Sequence, residues 1–189
     1  MEQVKYDDFD FFLNQMKKKF NEWAGNEQKL IEDAYIEQDW GMGFSVRIPE
    51  EFEQADEESA AGIFWSEKRP PVILITPKRE KGLTFQFLDN GIAEKTLSDC
   101  RKIIKQLVEQ LDERCVFYSM GEESGSVWFD YKSFAKNKTV YNMIFLFQAG
   151  GRKILGTFYC IFEIYDKWKP TVLKMLETVK TKEKTDERL

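Results

Sequence analysis

Asn142, Thr157 and Tyr159 are the side chains of this chain best placed to do specific chemistry. On a predicted β-hairpin they share a face with Val140, Ile144, Leu146, Leu155 and Ile161. A few hydrogen-bonding groups set in an apolar surface can orient a small ligand in a groove. The same three groups can also satisfy one another in an internal network. A second candidate lies one strand earlier, where Trp128 alternates onto the face of Ser126, Asp130 and Lys132, away from Val127, Phe129 and Tyr131. A tryptophan on a polar face, with Asp130 beside it, has the makings of a protein-docking anchor, unless a helix or loop lies over it. Trp65, next to Ser66 and Glu67, is a weaker case of the same kind.

No catalytic constellation accompanies these groups. Histidine is absent from all 189 residues, which removes the usual proton carrier near neutral pH and the commonest ligand for zinc, copper and iron. Ser-His-Asp and Cys-His mechanisms are therefore excluded. An enzyme would have to work with carboxylates, lysines or tyrosines, and it is the least favoured of the function classes. Cys100, Cys115 and Cys160 lie far apart with no C-x-x-C spacing, which suggests neither a disulfide framework nor a zinc site. Neither G-x-x-x-x-G-K nor G-x-G-x-x-G occurs. Glu50, Glu51, Glu53, Asp56, Glu57 and Glu58 form an acidic run, and Glu122 and Glu123 a shorter one. A run along one loop does not by itself bring oxygens together around a cation, and both read as solvated surface. No cofactor or metal is expected.

Charge and hydropathy narrow the partners. Residues 1–58 hold 16 acids against 6 bases, and residues 59–189 hold 17 against 22, giving the net −5. That asymmetry can steer a charged partner or favour docking within the chain. Nothing forms the dense basic stripe of a nucleic-acid binder. The longest apolar stretch, Ile154 to Phe162, is about half the roughly 20 residues a membrane helix needs. The start, Met1-Glu2-Gln3-Val4-Lys5, has no basic leader with an apolar core, so a cytoplasmic setting is expected.

The elements that must position these groups follow from periodicity. Phe9, Phe12, Leu13, Met16, Phe20 and Trp23 recur at steps of three and four, which predicts an amphipathic helix stopped at Gly25 and Asn26. From Gly43 the period becomes two. Phe44 to Pro49, Ile63 to Ser66, Val72 to Thr76 and Leu83 to Leu88 read as strands separated by proline- and glycine-rich turns. A helix follows from Thr96, with Thr96 and Asp99 at capping-box spacing and Leu97, Ile103, Ile104, Leu107, Val108 and Leu111 on one face. Strand character resumes at Cys115 to Met120, breaks at Gly121 to Gly125, and returns at Ser126 to Ala135 and Thr139 to Gln148. Gly150 and Gly151 turn the chain back, and a two- or four-residue loop there pairs Phe147 with Ile154 and Met143 with Phe158. Both hairpin faces are mainly apolar, so something covers each side or one side holds a ligand. The closing helix is expected from Asp166, as its cap, through Pro170, with Trp168, Val172, Leu176 and Val179 inward.

This order of pieces resembles the α/β/α sandwich superfamily that includes the PsbP extrinsic protein of photosystem II and the Mog family of Ran-binding nuclear import factors. Gly43-Phe44-Ser45-Val46-Arg47-Ile48-Pro49 has the look of the first strand. Gly156-Thr157-Phe158-Tyr159-Cys160 through Asp166 and Trp168 matches the last strand and closing helix. The resemblance spans roughly residues 40–180 and implies a mostly non-catalytic role in binding, assembly or chaperoning. It carries over no particular partner.

The sequence thus predicts an α+β fold, a twisted antiparallel sheet of six to eight strands sandwiched by helices, with an added N-terminal amphipathic helix. Residues 1–39 form a helical extension packed on the body, residues 40–180 the PsbP-like domain, and residues 181–189 a disordered tail. The expected role is that of a cytoplasmic, bacterial-type protein-binding or chaperone-like domain. An apolar-ligand carrier using the sheet groove and a histidine-free enzyme are its rivals. The oligomeric state is left open.

Overall fold

The computed structural model describes residues 35–63, 69–88, 90–135 and 137–182. The amphipathic segment Phe9 to Trp23, Trp65 with most of the expected Ile63 to Ser66 strand, and residues 183–189 lie outside them. Two antiparallel sheets organise the body. A small one orders β1 (Tyr35–Gln38), β2 (Phe44–Pro49) and β10 (Lys180–Thr181) as β1-β2-β10. The large one contains β3 (Glu53–Gln54), β4 (Val72–Ile75), β5 (Lys81–Phe87), β6 (Val116–Glu123), β7 (Ser126–Ala135), β8 (Lys138–Ala149) and β9 (Arg152–Ile161). Its order is β3-β4-β5-β9-β8-β7-β6. The helices are α1 (Glu57–Ile63), α2 (Asn90–Ala93), α3 (Leu97–Leu111) and α4 (Tyr165–Glu177), the last entered through a 3₁₀ turn at Phe162–Ile164.

The hairpin register is as expected, with Phe147 opposite Ile154 and Met143 opposite Phe158. Ala149 pairs with Arg152, so the loop has two residues. Gly150 and Gly151 both take positive φ, 56° and 75°, the primed-turn geometry that suits the twist of paired strands.

The first face of this hairpin is closed. Tyr141, Met143, Phe145, Phe147, Ile154, Phe158 and Cys160 are all buried. Phe44 of β2 meets Phe147 edge-on at 4.9 Å, and Trp168 of α4 stacks on Phe158 at 5.8 Å. Gly156 is required there, because a Cβ on it would fall inside the Phe145 ring. The second face is covered only in part. α3 lays Cys100 and Ile104 on Val127, Phe129, Ile144 and Leu146, while α1 packs Ala60 on Ile73 and Ile75.

Local signals that the chain can satisfy by itself are realised. Thr96 caps α3 by accepting from the Asp99 N–H at 3.1 Å, and its hydroxyl reaches the Asp99 carboxylate at 2.7 Å. The acidic run has a structural use as well: Asp56 Oδ1 accepts from Ser59 N–H at 2.7 Å at the start of α1, where Glu57 and Glu58 occupy the first turn.

Four expectations are corrected. Gly121 does not break the strand, since β6 runs to Glu123 and the turn falls on Ser124 and Gly125, with φ 46° and 79°. Gly121 sits opposite Trp128, whose ring would lie 2.7 Å from a Cβ placed there. Ile63 ends helix α1 instead of opening a strand. Asp166 does not cap the closing helix, which starts at Tyr165 with Ile164 at the cap position and no side-chain cap bond. The 3₁₀ turn leads the chain into α4 one residue early. Val179 is only half-buried, because α4 ends at Glu177 and the chain turns into β10, where Lys180 pairs with Ser45 and Thr181 with Phe44. Lys182 N–H then donates to Gly43 O at 2.9 Å, so pairing continues past Lys180.

Candidate protein-docking face

Trp128 is not an exposed anchor. It is 8% accessible, on the closed face, with the Lys169 ammonium 5.0 Å from its ring. The covering element proposed as its alternative is what the fold supplies. Asp130, two residues on, is 1% exposed and lies in a polar cluster. Its Oδ1 accepts from the Ser119 N–H and hydroxyl, both at 2.8 Å, and its Oδ2 accepts from Tyr141 hydroxyl at 2.8 Å and Lys169 Nζ at 2.6 Å. Lys169 also donates to Ser119 Oγ at 2.6 Å. Burial, then the Asp130 charge, pushes the Tyr141 hydroxyl far up, so it stays a protonated donor. The carboxylate has its charge balanced and four donors, as a buried ion requires. All these bonds are internal, which makes the cluster a brace between β6, β7, β8 and α4.

The groove residues behave differently. The register places Asn142 opposite Tyr159 and Thr157 opposite Ile144, so the three do share the second face. They lean apart, however. Asn142 Nδ2 donates to Ser133 Oγ at 2.8 Å, toward β7, while the Tyr159 ring lies across Gly82 of β5 on the other side. Burial raises the Tyr159 pKa, against the pull of Arg79. Asn142 and Tyr159 therefore do not converge on one point. What remains is a half-buried strip: Val140, Asn142, Leu155, Thr157, Tyr159 and Ile161 are all of intermediate exposure.

The helix beside that strip carries apolar groups that stay exposed. Arg101 and Lys105 mark the side of α3 turned toward β6, since Arg101 Nη1 donates to Gly121 O at 2.8 Å and Lys105 Nζ stands 4.0 Å from the Phe117 ring. At about 100° per residue, Leu107 lies on the opposite flank of the buried Cys100–Ile104 stripe, toward β9, and Leu111 continues that stripe. Leu107 is 45% and Leu111 86% exposed. Helical periodicity places both on the inward face, but only the assembled sheet reveals that the stripe outruns its support.

Two clefts indent the surface, the larger abutting the strip at Ile161. One, of about 480 Å³, is lined by Glu80, Phe134, Lys138, Thr139, Ile161 and Glu163, among others, and a smaller one, of about 210 Å³, lies between α1 and Arg79. Among the described residues no three acidic or thiol groups are close enough to share a metal ion, and no helix is long and apolar enough to cross a membrane. All three cysteines are free thiols whose pKa values are raised, chiefly by burial, which keeps them protonated.

No family model and no curated protein matches the sequence. Solved structures do. The Ran-binding protein Mog1p of Saccharomyces cerevisiae superposes with a TM-score of 0.58 at 8% identity, over 80% of this chain and 97% of its own. CyanoP, the PsbP of Synechocystis sp. PCC 6803, gives 0.51 at 12% identity over 79% and 93%. LpqN of Mycobacterium tuberculosis, involved in cell envelope biogenesis, gives 0.51 at 9% identity over 79% and 91%. The fold is PsbP/Mog-like, and at these identities the likeness concerns the fold alone.

Proposed function

We propose that this chain is a non-catalytic, cytoplasmic protein-binding domain of adaptor or chaperone type that docks its partner on the α3 side of its large sheet. One observation carries the reading: the apolar stripe of α3 ends in Leu107 and Leu111, exposed beside a sheet strip that is only half-buried. Large apolar side chains left in water next to a partly covered sheet are what a partner's apolar groups would bury. The fold is compatible with such work, since a Ran-binding protein shares it. The polar groups on the strip, Asn142 and Thr157, supply the hydrogen bonding that rims such contacts. The rival carrier of an apolar ligand gains little from the larger cleft, whose lining includes Glu80, Lys138 and Glu163.

The test is site-specific photo-crosslinking in native cytosol. A benzophenone residue at position 111 is expected to give a discrete protein adduct that is lost when Leu107→Glu is added and is absent from a probe at the exposed turn residue Lys78. Equal labelling at both positions, or an adduct indifferent to Leu107→Glu, overturns the proposal.

A further inference from the structure

Strand β6 is the least secured part of the large sheet. It is an edge, paired among the described strands with β7 alone. Its ladder slips by one residue between Phe117 and Met120, so that Tyr118 and Ser119 together face a single position of β7. Met120 is 56% exposed, whereas Ser126 to Asp130 of β7 are buried throughout. At the slip, the Ser119 N–H is turned from the ladder to the Asp130 carboxylate. Asp130 is tied in turn to β8 through Tyr141 and to α4 through Lys169. Beneath this edge, Trp128 Nε1 and Ser126 Oγ are buried and find no hydrogen-bond partner among the described residues.

We propose that β6 is a strap whose two halves open locally and separately, and that Asp130 is the latch holding its amino-terminal half shut. The carboxyl-terminal half has its own tie, the Arg101 bond to Gly121 O. Opening bares the outer edge of β7 together with the Trp128 indole, without disturbing the β8–β9 hairpin, whose pairing lies on the other side of β7. Local openings of this kind occur well below the free energy of global unfolding and are resolved by amide exchange.

Hydrogen exchange on the full chain tests the latch. The variant Asp130→Leu with Lys169→Met and Tyr141→Phe removes the carboxylate together with its charged and phenolic partners, so neither Lys169 nor Tyr141 is left facing an empty carboxylate site. In it, peptides covering residues 116–119 are expected to exchange about tenfold faster or more, with residues 152–161 unchanged. Arg101→Met is expected to accelerate residues 120–123 and spare 116–119. Unaltered exchange at 116–119 in the folded triple variant overturns the proposal. So does a loss shared equally with 152–161, or an equal response of 116–119 to Arg101→Met.

Discussion

The two faces of the β8–β9 hairpin are built from similar numbers of apolar residues and end in opposite states. The first is sealed by rings from β2 and α4, and on the same side of the sheet Asp130 of β7 is fully paired. The second is sealed over Ile144 and Leu146 by α3 and left half-open at Thr157, Tyr159 and Ile161. Apolar composition makes a face want cover, but whether cover comes from the same chain depends on where the helices land. A face closed internally serves stability, and a face closed in part leaves apolar groups in contact with water.

Substitutions matched across the two faces can break or sharpen that contrast. The largest effect is expected from Asp130→Ala, which strands Lys169 and Tyr141 around an empty carboxylate site and should cost about 3–5 kcal/mol in urea unfolding. The corresponding polar deletion on the open face, Asn142→Ala, should cost only about 1 kcal/mol. If the two cost the same, the faces are not energetically distinct. Next, Gly156→Ala drives a methyl into Phe145 and should destabilise by about 1–3 kcal/mol. Gly62→Ala meets nothing within 4 Å and should stabilise by about 0.5 kcal/mol. Thr96→Ala, removing the cap of α3, should lower the midpoint by the equivalent of about 1 kcal/mol. The smallest effect is expected from Leu111→Glu, which alters an 86% exposed side chain and should stay within about 0.5 kcal/mol of the parent. A large stability loss there would mean that Leu111 already has cover.

Much of this was legible in the sequence where one residue's constraint is local. Thr96 and Asp99 announce a cap, and Gly150 and Gly151 a tight turn whose even-length loop fixes the register of the hairpin, Phe147 opposite Ile154. The candidate sites were less legible. Trp128 and Asp130 look like surface from their neighbours, yet α4, some forty residues on, brings Lys169 over them. Gly121 looks like a turn, and it is a space left for the Trp128 ring. Leu107 and Leu111 look like core because helical periodicity cannot say where the underlying sheet stops.

The amino-acid order alone determined the antiparallel α+β plan, the pairing of the glycine hairpin and the poverty of catalytic groups, since each rests on residue type, period or turn chemistry within a short window. Which faces are closed, which acid is paired and which leucines stay wet were decided only by the assembled molecule. Those properties depend on contacts between segments far apart in the chain, whose distances no local pattern encodes.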